Sequence, residues 1–173
     1  MRKFFLVFLT LATMTLGIEA AQALQCVPYA RSLSGVSLKG DAWTWWQNAD
    51  GLYEKGSKPQ VGSVMVFKKT GAMRRGHVAV VSKVLSDREI LIDHANWGSG
   101  RIGGRGGIAR NAAVIDVSPA NDWSEVRVAP KAGHEYGVRV NPVYGFIHAK
   151  RPIDRREASA SGSERGQVAE VED

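Results

Sequence analysis

Cysteine is the scarcest reactive residue here: one, Cys26, in 173 residues. With no second thiol the chain cannot close an internal disulfide. Histidine is also sparse, at four. His77, Asp93 and His94 show no spacing that resembles a metal site, so no metal and no cofactor are expected. No internal repeat is visible, which excludes solenoid architectures. The only long apolar run, Phe4 to Ile18, is too short and too one-sided for a comfortable membrane span.

That run belongs to a processing signal. Arg2 and Lys3 form its charged start, and Ala21-Gln22-Ala23 is an A-x-A cleavage site, so residues 1–23 read as a signal peptide. A lipoprotein reading fits less well, because Gln25 is not the small residue such processing wants before Cys26. The expectation is a protein secreted to the periplasm or cell exterior, with no stable membrane insertion after cleavage. In an oxidising compartment structural cysteines come in pairs. A lone one is a reactive thiol, an intermolecular bridge or an accident, and its place just ahead of a helical segment (Val27, Ala30, Leu33) favours the first. A helix N-terminus favours thiolate over thiol.

The formal charge is +6. Without residues 1–23 there remain 21 basic against 16 acidic residues, a balance that suits an anionic surface but equally serves solubility. From about Asp154 the composition collapses to Ser, Ala, Gly, Arg and Glu with no aromatics, so residues 154–173 read as a disordered polar tail. Residues 24–153 are left as one domain, expected to be monomeric.

Within that domain a Gly40-Asp41-Ala42 turn precedes Trp43, Trp45 and Trp46. Residues 52–58 look like a loop or frayed helix end. Short apolar runs of strand length follow at Ser63–Phe67, His77–Ser82, Glu89–Trp97 and Ile108–Val117, with two more at Val126–Val128 and Val143–Ile147. Together they suggest a meander of antiparallel strands behind an N-terminal helix. The glycine-rich stretch Gly98–Gly107 has no helix after it to make a phosphate cradle, and reads as a mobile loop beside a site. Alternation puts Ile90, Ile92, His94 and Asn96 on one strand face and Asp93 on the other.

A cysteine hydrolase needs a thiolate, an imidazole to activate it and protonate the leaving amine, and a polar group to orient the imidazole. Cys26 at a helix start, His77 opening a strand and His94 or Asn96 on the next strand supply those parts in order. His134 and His148 read as solvated turn residues.

The ordered pieces Cys26-Val-Pro-Tyr29-Ala30, Gly40-Asp-Ala-Trp43, Pro59-Gln-Val-Gly62 through Phe67, Gly76-His77 through Val81 and Ala95-Asn96-Trp97 resemble the CHAP domain, the cysteine, histidine-dependent amidohydrolases/peptidases of the papain-like, NlpC/P60-related superfamily. The resemblance implies an α+β papain-like fold, with the Cys-bearing N-terminal helix packed on an antiparallel sheet. It also implies hydrolysis of amide bonds in peptidoglycan or its peptide fragments, and no nucleic-acid partner. Cys26 matches the family nucleophile and His77 its base. Many relatives carry Glu where this chain has His94, so His94 and Asn96 compete as the orienter. Tyr29, Trp45 and Trp97 are the expected substrate-binding aromatics. Two further readings stay open: a non-catalytic wall-binding module, which loss of Cys26 or His77 would have signalled, and an amidase for a small peptide-like metabolite.

Overall fold

Strand burial explains the architecture. In Val64–Phe67 every residue is buried, because the strand is covered on both faces. Met65 and Phe67 point into a cluster with Ala79, Val81, Ile90, Ile92, Val114, Val126 and Phe146. Val64 and Val66 point the other way, into a cluster with Ala30, Val36, Leu38, Trp45, Val78 and Val80. Two-sided burial of this kind turns alternation into a continuous apolar run.

The structure is a computed structural model that describes residues 25–98, 107–130 and 135–149. Its elements are α1 (Cys26–Ser34), a 3-10 turn (Ala42–Thr44), α2 (Trp45–Asn48), β1 (Glu54–Gly56), β2 (Val64–Phe67), β3 (His77–Val84), β4 (Glu89–Ala95), β5 (Ile108–Asp116), β6 (Glu125–Val128) and β7 (Asn141–His148). The signal-peptide and tail assignments, His134 and most of the glycine-rich stretch lie outside the described residues.

The expected papain-like α+β fold, the Cys-bearing helix packed on an antiparallel sheet, is not what the chain adopts. Among the described residues 38% are strand and 14% helix, and six antiparallel strands close into a barrel. The strand order is β1-β7-β2-β3-β4-β5-β6, and β6 pairs back onto β7. Closure rests on β7, where Met65 pairs with Phe146 on one side and Val126 with Asn141 on the other. Register breaks in the β2–β7, β3–β4 and β4–β5 pairings add local bend and twist, which curl an antiparallel sheet until its edges meet. The inner cluster fills the barrel, while α1 and α2 pack on its outer face, chiefly over β2, β3 and β7, with α1 also reaching β4.

Two local expectations also change. Residues 52–58 contain strand β1, which pairs with the outer edge of β7. His148 is no solvated turn residue: it lies in β7 and is buried.

Candidate active site

Gly76 fixes the position of the first imidazole. It has φ of +66°, and a Cβ there would lie 2.8 Å from both the backbone nitrogen and the Cβ of Trp43. Only glycine permits that backbone with the 3-10 turn packed so close. The next residue, His77, opens β3 on the barrel's inner face opposite Phe67.

His94 reaches the same place from β4. It follows Ile90 and Ile92 along the inner face, and its Nδ1 lies 3.1 Å from Nε2 of His77. The two rings share one proton at that contact. Phe67 and Trp97 enclose them: Trp97 is edge-on to His77 at 4.8 Å and tilted over His94 at 5.3 Å, and Phe67 is 5.6 Å from His77. This apolar enclosure disfavours charge. Burial pushes His77 well below the ordinary imidazole range, and the neighbouring His94 adds to the shift. Burial lowers His94 to about 4. Both rings are therefore neutral at neutral pH. His94 Nε2 is buried and has no hydrogen-bond partner among the described residues.

Cys26 is the first residue of α1, behind Gln25 in extended conformation. Burial raises its thiol, and the N–H groups of Val78, Val27 and Cys26 itself oppose that shift. The helix-start argument for a thiolate is thus outweighed: three amides favour the anion, but desolvation is the larger effect. The resting pair is neutral thiol and neutral imidazole.

Cys26 and His77 line one cavity of about 730 Å³, together with Gln25, Asn96 and Trp97. Arg75 and Arg139 also line it. Among the described residues no group of three or more His, Cys, Asp or Glu is placed to hold a metal ion.

The other expected site residues separate. Asn96 does not share the His94 face by strand alternation, because β4 ends at Ala95 and Asn96 has φ of +62°. Its side-chain Nδ2 donates to Oε1 of Gln25 at 2.7 Å. Asp93 faces away, as alternation suggests, and accepts the backbone N–H of Asn111 at 2.8 Å. Of the three substrate-binding aromatics, Trp97 lines the cavity. Trp45 and Tyr29 do not: Trp45 is fully buried in the outer cluster, and Tyr29 is a buried residue of α1. Gln25 was not anticipated as a site residue. Its signal in the sequence was adjacency to the cysteine.

The family model of the CHAP domain matches residues 17–96, a span that takes in Cys26, His77 and His94 and ends on Asn96. No curated protein matches the chain. Strands β5 to β7, which close the barrel, lie beyond the matched span. Residues 17–96, a little under half of the chain, are thus similar to the CHAP domain, a family that is typically one of hydrolases.

Proposed function

We propose that the protein is a secreted thiol amidase or peptidase that cleaves amide bonds in the peptide part of peptidoglycan. The observation that carries this reading is the joint placement of Cys26 and His77 on one cavity, with His77 Nε2 engaged by His94 at 3.1 Å. That engagement leaves Nδ1 as the nitrogen for proton exchange with the thiol. The catalytic tautomer has His77 donating Nε2–H to His94 Nδ1, so His94 carries its own proton on Nε2.

In this reaction the Cys26 proton passes to His77 Nδ1 as sulfur attacks the amide carbon. The carbonyl electron pair moves to oxygen, where the Cys26 backbone N–H, in the first turn of α1 and outside the helix ladder, stabilises it. Collapse expels the amine, which takes the proton from His77. Water, activated by the same nitrogen, then hydrolyses the thioester. His94 carries no formal charge with which to stabilise imidazolium, so its service is to fix orientation and tautomer.

The test is mass spectrometry of fragments released from purified sacculi by the full chain and by Cys26→Ser. New amine and carboxyl termini are expected from the first and none from the second. Equal release by the serine variant would end the cysteine mechanism.

A further inference from the structure

The cavity that holds Cys26 is unevenly charged. Among the described residues its wall carries three charged side chains, Asp41, Arg75 and Arg139. His77 beside them is neutral. Asp41 and Arg75 offset each other, with Oδ1 and Nη1 3.5 Å apart. Arg139 has no acidic partner among the described residues, where the ion pairs are Lys55–Asp50, Arg75–Asp41 and Arg88–Asp116. Its backbone, by contrast, is tied on both sides. The Gly137 N–H donates to the Val128 carbonyl at 3.0 Å, and the buried Asn141 donates Nδ2–H to the Arg139 carbonyl at 3.1 Å. An anchored stretch of chain therefore carries a cation whose whole charge is available to the cavity. Met73, Val128, Pro130 and Val138 line the same cavity, and Val138 is 92% exposed. Apolar walls strengthen a charge pair formed against them, because they displace water.

We infer that Arg139 is a specificity-determining residue that binds a carboxylate of the substrate, so that the amides hydrolysed belong to acidic peptides and not to neutral or amidated ones. This rests on the thiol-hydrolase reading of the cavity. The planar guanidinium takes a carboxylate through two parallel hydrogen bonds, which fixes the bound peptide in orientation as well as in place. Arg75 has less to offer an incoming anion, since Asp41 already sits against it. Arg139 also lies beyond the span that matches the CHAP domain, so the preference comes from the half of the chain that closes the barrel and not from the Cys-His pair.

Charged and neutral alkylating agents test this without any wall substrate. The probes are N-iodoacetylglycine and N-iodoacetyl-β-alanine, each beside its uncharged carboxamide, which place the charge at two distances from the reacting carbon. The Cys26 sulfur forms a bond to that carbon, iodide leaves with the electron pair, and the thiol proton goes to buffer. Saturation of the rate with reagent concentration separates binding from the chemical step. In the wild-type chain at least one carboxylate should bind about 10-fold more tightly than its carboxamide, the scale of a charge-assisted hydrogen bond. Each preference is taken within one protein, so a change in thiol reactivity cancels. Arg139→Gln should abolish the preference. Arg139→Lys should keep part of it, because the charge stays while the planar fork is lost. Arg127→Gln removes an exposed cation of β6 that does not line the cavity, and should leave the preference at its wild-type size. No preference in either wild-type pair, or an undiminished one in Arg139→Gln, would overturn the assignment. An equal loss in Arg127→Gln would overturn it too, by tracing the preference to the net positive charge of the chain. If the preference holds but Cys26→Ser releases as much from sacculi as the wild type, the cysteine mechanism fails while the carboxylate site stands.

Discussion

Lowering the pH from about 7 to about 5 should destabilise this fold chiefly through two buried imidazoles. His94 has its folded pKa lowered to about 4, against an ordinary value of 6.5. Between those values the unfolded chain binds the proton more tightly than the folded one. Stability is therefore complete above about pH 6.5 and declines as the pH falls toward 4. At about 1.4 kcal/mol per pH unit, the drop from 6.5 to 5 removes roughly 2 kcal/mol through His94 alone. His77, also lowered, contributes in the same direction. The assay is urea unfolding at the two pH values, followed by the fluorescence of the five tryptophans. His94→Asn removes the titrating ring, so its loss between the two pH values should be smaller than the wild-type loss by about 2 kcal/mol. Each protein is compared with itself, so any destabilisation that is independent of pH cancels. Equal losses in the two proteins would refute the argument that His94 is folded around its neutral form.

The lowered His77 imidazole sets the acid limb of activity: kcat/KM on soluble wall fragments should hold until well below pH 6.5, and a half-maximum near 6.5 would contradict a buried neutral base. His94→Glu should keep activity and move that limb upward, since a carboxylate stabilises the His77 imidazolium; a downward move in the pH–rate profile would count against contact between position 94 and His77. Gly76→Ala should lower the melting temperature sharply, because its Cβ meets Trp43 backbone at 2.8 Å with φ of +66°; a wild-type melting curve would show that the 3-10 turn gives way.

Much of the site was readable because it obeys strand alternation. Ile90, Ile92 and His94 do share a face, and Asp93 does turn outward. Asn96 broke the pattern because a left-handed residue ends the strand, and nothing in the polarity of Ala95-Asn96-Trp97 marks that reversal. Closure of the barrel was illegible for another reason. Val126–Val128 and Val143–Ile147 look like ordinary strands, and periodicity says which face is buried but not which edges meet. Trp45 and Trp46 are neighbours of the same type, yet one is fully buried and the other stacks on Tyr144 at 6.0 Å. Composition cannot separate them, since a helical turn decides which ring goes inward. The thiol was misjudged because a helix start is visible in sequence and desolvation is not.

The place of β7 in the barrel has a consequence for how the chain reaches its native state. The last strand is paired with β2 on one edge and with β6 and β1 on the other; its pairing with β6 is between consecutive strands, but its pairings with β2 and β1 join residues from opposite ends of the fold, such as Met65 with Phe146 and Glu54 with His148. Such non-local pairing must overcome loop-closure entropy before it is rewarded, which slows folding. The cavity beside Cys26 takes Val128 and Asn141 into its wall from β6 and β7. A nascent chain that has already produced its cysteine and both imidazoles still lacks a finished cleft. The nucleophile is made first and becomes competent last.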